Sequence, residues 1–264
     1  PPTGYQKLCS ENLPEPAIIK SNEHFDTVLY TGDGSSSKAI TGLDFSPNLV
    51  WFKSRSAAQN HIAFDTVRGV EESIWPNGEW VEEDYPGEGV SAFNSNGVTI
   101  GDSGNMNVNS ATYAMWAWNG GSSTANTAGT INSTVGANPS AGISIVTYTG
   151  NGTAGATVGH GLGVAPESIF IKCRSSAEFW VWGSSPRGWT HYYRMSGGAS
   201  GTGSSTDDNT VFNDTAPTST VFSIGNKANV NTNTATYLAY CFASVEGFSK
   251  VGSYVGNGND NGTY

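Results

Sequence analysis

The stretch Val146–Ser176, VTYTGNGTAGATVGHGLGVAPESIFIKCRSS, has a looser counterpart in Val28–Ser56, VLYTGDGSSSKAITGLDFSPNLVWFKSRS. Phe45-Ser-Pro47 matches Val164-Ala-Pro166, Lys53-Ser-Arg55 matches Lys172-Cys-Arg174, and Arg68-Gly69 matches Arg187-Gly188, all 119 residues apart. Further on, Ile100-Gly101 matches Ile224-Gly225 and Ala111-Thr-Tyr113 matches Ala235-Thr-Tyr237, now 124 apart. The change of offset places an insertion between Gly188 and Ile224, where SGGASGTGSSTDD (196–208) reads as a flexible surface loop. A third copy starts at Gly247, where GFSKVGSYVGNG repeats the GISIVTYTGNG that begins at Gly142.

Each copy reads as short strands joined by turns. LVWFK (49–53) and IFIK (169–172) are β-branched or aromatic runs with a proline just upstream. In Tyr113-Ala-Met-Trp-Ala-Trp118 and Tyr237-Leu-Ala-Tyr-Cys-Phe242, alternate residues share a sheet face. That pairs Trp116 with Trp118 and Tyr240 with Phe242, and leaves the small Ala117 and Cys241 to face a second layer. TGDG, TGNG and VGNG are glycine-rich turns, and no window carries a 3.6-residue apolar period. Repeats of this length and strand content predict an all-β fold of tandem β-sandwiches, lectin-like or jelly-roll-like, arising by internal duplication. A single large sandwich of two intertwined halves is the alternative architecture. The expected divisions are 1–22 as an upstream segment or linker, 23–141 and 142–246 as the two sandwich repeats, and 247–264 as the first strand of a truncated third.

Composition agrees with this. Glycine supplies 34 of 264 residues, roughly twice the usual share, and charged residues are 13%, about half of it. Eight Trp, eleven Tyr and eleven Phe need burial, which sets the chain apart from disordered polar sequences. The net charge of −10, with twelve scattered basic residues, argues against nucleic-acid binding, which relies on clustered Lys and Arg. No apolar run approaches the length of a membrane span. The three cysteines, Cys9, Cys173 and Cys241, show no CxxC or metal-ligand spacing, and Cys173 and Cys241 sit in apolar runs that predict buried free thiols. No cofactor is expected.

The motifs together resemble a domain of tailed-phage structural proteins, marine and cyanobacterial ones in particular. The residues that carry the resemblance are Tyr148-Thr-Gly-Asn-Gly152, Val158-Gly-His-Gly-Leu-Gly163, Ala165-Pro166, Phe64-Asp-Thr-Val-Arg-Gly69, Tyr113-Ala-Met-Trp-Ala-Trp118 and Gly252-Ser-Tyr254. The opening PPTGYQKLCSENLPEP is similar to the close of a SPRY-like lectin sandwich. The resemblance implies a virion structural protein: a tail fibre, spike or capsid fibre. Its expected partners are further copies of itself, other virion proteins and a host-surface glycan. It supplies no catalytic residues, and none is expected.

Among chemical candidates, His160 has no carboxylate nearby in sequence and Thr41 at its place in the first copy, so a turn histidine bonded to backbone is expected. Serine hydrolysis would need a nucleophile elbow after an apolar strand, and the Gly/Ser runs lack one. The acidic, Trp-rich stretch VEESIWPNGEWVEEDYPGEG (70–89) is the best place for glycan chemistry. Trp75, Trp80, Glu82, Asp84 and Tyr85 are its candidate ligand-binding residues, since carboxylates flanking aromatic platforms suit sugars. Subtracting the first copy from the second adds Trp189 with Tyr192 or Tyr193 as an expected exposed platform. A polysaccharide-degrading enzyme using carboxylates of Glu71–Glu88, or a secreted lectin, is the alternative reading. Asp207, Asp208 and Asp214 match no calcium loop and read as solvated.

Overall fold

The computed structural model describes residues 15–195 and 205–258. Most of the SPRY-like opening, Cys9, most of the 196–208 loop and the last residues of the third copy therefore lie outside the described residues. What is described is nearly all β, in antiparallel sheets. In the first repeat, β1 (Phe25–Thr31), β3 (Leu49–Ser54), β4 (Ile62–Asp65), β5 (Gly69–Ile74), β6 (Glu83–Asp84) and β9 (Thr112–Trp118) form a sheet ordered β1-β9-β3-β4-β5-β6. A small sheet, β2-β8-β7, made of β2 (Lys38–Thr41), β7 (Val90–Asn94) and β8 (Gly97–Ile100), covers one face of it.

The second repeat repeats the topology. Its strands β12 (Ile143–Thr149), β19 (Thr236–Phe242), β14 (Ser168–Cys173), β15 (Val181–Ser184), β16 (His191–Arg194) and β17 (Ser205–Asp207) stand in that order. β13 (Ala156–Gly159) and β18 (Val221–Ile224) form its small sheet. Even the register is kept: Phe25 faces Trp118 and Leu49 faces Trp118 in one repeat, as Ile143 and Ser168 face Phe242 in the other. The short helix α1 (Asn209–Phe212) lies between β17 and β18, and α2 (Ala228–Asn231) precedes β19.

Residues shared by the two copies turn out to be structural. Tyr30 stacks on Tyr113 at 5.3 Å, and Tyr148 stacks on Tyr237 at 5.1 Å. Each pair is tied to the chain before the last strand: Tyr30 Oη donates to Met106 O, and Tyr148 Oη to Val230 O. A fully buried asparagine then staples each glycine-rich turn. Asn107 Nδ2 donates to Ser35 O and Gly101 O, and Asn231 Nδ2 donates to Thr153 O and Gly225 O. Gly101 and Gly225 admit no side chain, because a Cβ would lie 1.9 Å from Gly87 O in one repeat and 2.2 Å from Thr210 O in the other. The cysteines Cys173 and Cys241 are buried and free.

The two large sheets pack face to face, giving four layers: small, large, large, small. Alternation decides which residues go where. Met115 and Ala117 enter the first sandwich core and Ala239 and Cys241 the second, while Trp118, Leu238, Tyr240 and Phe242 enter the core between the large sheets. This corrects the division at residue 141. The strands β10 (Ser123–Asn126) and β11 (Ser133–Asn138) extend the second sheet through β12, so the first sheet ends at Trp118. The third copy shows no strand in its described part; Val245 pairs only with Ser249 in an isolated bridge. Phe248 packs into the core between the sheets and stands 6.1 Å from His24.

Candidate functional site

Two carboxylates of the acidic stretch, Glu79 and Glu82, tie the sandwiches together. Asp65, at the end of β4, accepts hydrogen bonds from Val67 N, Arg68 N, Arg68 Nε and, across the interface, Tyr240 Oη. The Arg68 side chain is fully buried and also donates from Nη1 to Glu82 Oε2, and Arg174 of the second repeat holds the same carboxylate through both oxygens. Desolvation works against the Arg68 cation, but Asp65 and Glu82 more than offset it and hold its pKa above the ordinary value. Burial likewise raises the Glu82 carboxyl, and the two guanidiniums outweigh it, leaving Glu82 below its ordinary value. A glycosidase acid needs the opposite shift. Glu82, expected as a sugar ligand, is therefore an ion-pair residue between domains. In the second copy Ser184 stands in place of Asp65, so this network has no counterpart there.

The candidate aromatics separate by burial. Trp75 is only 6% exposed and joins the first core, edge-on to Trp80 and Tyr85 at 5.8 and 5.9 Å. It is a core residue and not a platform, because β5 delivers it inward at the end of the strand. Trp80 is 48% exposed, Tyr85 is half-buried, and Asp84 is exposed on β6 opposite Glu72. The predicted platform of Trp189 and Tyr192 is also corrected: both are buried in the second core. Trp189 meets Phe212 edge-on at 5.2 Å, in room left by Gly183, where a Cβ would come within 2.8 Å of the indole. In β16 the alternation sends Tyr192 inward and Tyr193 outward. The half-buried aromatic ladder on the outer face is instead Phe170, Trp182 and Tyr193, on β14, β15 and β16. Phe170 stacks on Trp182 at 5.5 Å, and Trp182 lies 4.9 Å from Tyr193.

Between the two large sheets lies the concavity that sequence reasoning missed. Trp51, Trp118, Phe170, Trp180 and Tyr240 line an apolar cavity of about 270 Å³. A groove of about 460 Å³ shares Trp118, Phe170 and Phe242 with it and runs past Phe25 and Phe248 to a polar rim of His24, Ser249 and Lys250. Phe25 and Trp118 are 5.0 Å apart, and His24 Nδ1 lies 3.2 Å from Asn138 Nδ2. The one sequence signal was the matched position of Trp118 and Phe242 on the same face of equivalent strands. Apolar clefts with a few polar groups at a domain interface are the usual form of a small-ligand site.

The remaining candidates are structural. His160 is buried, accepts from Leu162 N at Nδ1 and stands 3.2 Å from Thr218 O at Nε2, which fits the neutral tautomer with the proton on Nε2. Burial lowers its pKa. Asp208 caps α1 through Thr210 N and pairs with Lys227. Lys172, pushed down to about 8 by burial, donates to the carbonyls of Cys173 and, across the interface, Glu79. Among the described residues no group of three His, Cys, Asp or Glu side chains stands ready for a metal ion, and no helix is long and apolar enough to cross a membrane.

A family model described as a domain of unknown function matches residues 20–264. No curated protein and no solved structure matches the chain.

Proposed function

The chain belongs to the family of that model, DUF7483, and from this premise we propose that it is a segment of a phage virion structural protein, a fibre, spike or surface-decoration component that adheres to host-surface glycans. The observation that carries the glycan part is the aromatic groove between the sheets. A pyranose presents a face of C–H groups that lies well on an aromatic ring, whose face is electron-rich. Phe25, Trp118, Phe242 and Phe248 offer such rings, and His24, Ser249 and Lys250 offer hydrogen-bonding groups at the rim. Trp80, which with Tyr85 flanks Trp75, is a second, shallower contact for the same ligand. The virion part rests on the phage-like sequence signature, and the welded four-layer block suits a component that holds its shape.

Titration of host-cell polysaccharide into the protein by calorimetry tests the groove. Binding is expected, with Trp118→Ala weakening it about tenfold or more, the scale of losing one aromatic hot spot. Binding that is unchanged in Trp118→Ala removes the groove from the reading. Release of reducing ends during the same incubation replaces adhesion by hydrolysis. Gold labelling of purified particles tests the virion part, and protein found only as a free secreted species leaves a lectin.

A further inference from the structure

Two rim residues of the aromatic groove break the repeat. Phe25 faces Trp118 in the first copy as Ile143 faces Phe242 in the second, which sets His24 against Gly142 and Thr27 against Ile145. In the third copy GFSKV (247–251) follows GISIV (142–146), so Gly247 and Lys250 stand at the same two places. The fold needs neither a histidine nor a lysine there, since the equivalent positions manage with glycine, threonine and isoleucine. Yet the folded chain brings His24 and Lys250 to one rim, on either side of Phe248 in sequence and in the same groove.

The charge at this rim runs against that of the chain, which is −10 overall. Among the described residues no carboxylate lines the groove. The acidic groups nearest in sequence are engaged or placed elsewhere: Glu23 pairs with Lys20, Glu167 Oε2 accepts from Ser244 Oγ, and Glu246 lines a neighbouring concavity. Of the six lysines among the described residues, five are held. Carboxylates hold Lys20, Lys38 and Lys227, and backbone carbonyls hold Lys53 and Lys172. Lys250 is exposed, and its ammonium has no such partner among the described residues. His24 is prepared in another way. Ala141 N donates to Asn138 Oδ1, so Asn138 Nδ2 is the donor to Asn119 O and to His24 Nδ1. The ring proton of His24 therefore sits on Nε2, where no protein acceptor takes it among the described residues.

We propose that the groove takes a sugar bearing a carboxylate, a uronic acid unit of a host-surface glycan. Its C–H face lies on the aromatic walls, and its carboxylate meets the Lys250 ammonium and the His24 N–H. Two donors suit the two oxygens of a carboxylate. The forked guanidinium contacts that favour phosphate are missing, since among the described residues no arginine lines the groove. At so exposed a place a charge gains little affinity, so Lys250 sorts sugars more than it holds them. The charge preference rests on the glycan reading above and narrows it to one class of sugar.

Calorimetry with trisaccharides of galacturonate, mannuronate and glucuronate, each beside its methyl ester, tests this. The ester keeps the ring and removes the charge. At about 0.15 M salt the Debye length is about 8 Å, so the ligand feels the rim more than the net charge of the chain. At least one uronate is expected to bind about fivefold more tightly than its ester. Lys250→Gln should lower that uronate to the level of its ester, and Lys250→Arg should restore the difference. Uronate and ester bound alike, or a preference that survives in Lys250→Gln, overturns the charge preference and spares the glycan groove. Binding of host-cell polysaccharide with none of the uronates or esters bound does the same. A protein that binds none of these sinks the preference and the groove together.

Discussion

Replacing Arg68 by Met removes the cation at the centre of the inter-sandwich network while keeping a side chain of similar reach. Asp65 and Arg68 have no exposed side-chain surface, whereas Glu82 keeps 12%. After the change Glu82 still has Arg174, but Asp65 is left as a buried carboxylate with only Val67 N, the residue-68 amide and Tyr240 Oη. Stranding one partner of a buried pair costs about 3–5 kcal/mol, which for a chain of this size lowers the melting midpoint by about 6–20 °C. Arg174→Met is the control. Its side chain is 19% exposed and its loss leaves Glu82 with Arg68, so about 1–2 kcal/mol is expected, the scale of one hydrogen-bonded charge. Guanidinium unfolding followed by tryptophan fluorescence reads both. The reasoning fails if Arg68→Met lies within about 1 kcal/mol of wild type, or if the two arginine variants cost the same.

Three further outcomes follow from the same geometry. Tyr240→Phe keeps the ring and removes only its bond to Asp65, so a loss of about 1.5–3 kcal/mol is expected by chemical unfolding; no loss would mean that contact is not made in solution. Gly225→Ala places a Cβ against Thr210 O and should cost about 1–3 kcal/mol, with the loss visible in the thermal midpoint and absent for Gly252→Ala, where nothing lies within 4 Å. His160, with its pKa lowered from 6.5 by burial, favours the neutral form in the fold. Its contribution is therefore present above pH 6.5 and is lost as pH falls from there towards the lower folded value. A urea series from pH 7.5 to 5 should show stability falling, and His160→Gln should flatten that slope; an equal slope in the variant would refute the assignment.

The duplication and the all-β class were legible because both rest on local pattern. The 119-residue offset, the proline-led apolar runs and the alternation in 113–118 and 237–242 each describe a strand without needing its neighbours. The orientation of Tyr192 and Tyr193 was not legible, since in a four-residue strand a shift of one position exchanges the two faces. Trp189 was misjudged because its burial depends on Gly183, six residues away on β15. The acidic stretch looked like a sugar site because the two guanidiniums that neutralise Glu82 come from Arg68 and from the other repeat. β10 and β11 lie in a Ser/Thr/Asn-rich run with no strand signature, and their pairing with β12 is a tertiary fact. The groove needed both sheets in place before its walls met.

The chain enters and leaves this block at one corner. Ile18 is buried in the core between the large sheets, Phe248 packs against it half-buried, and a Cβ at Gly247 would lie 3.0 Å from Pro16. A pull applied between residues 15 and 250 would thus load that corner first, peeling Pro16, Ile18 and Phe248 apart one contact at a time. The paired strands behind it would bear little of the tension. Under such a load the block would act as a pendant and not as a link in series, and its sheets would outlast the attachment.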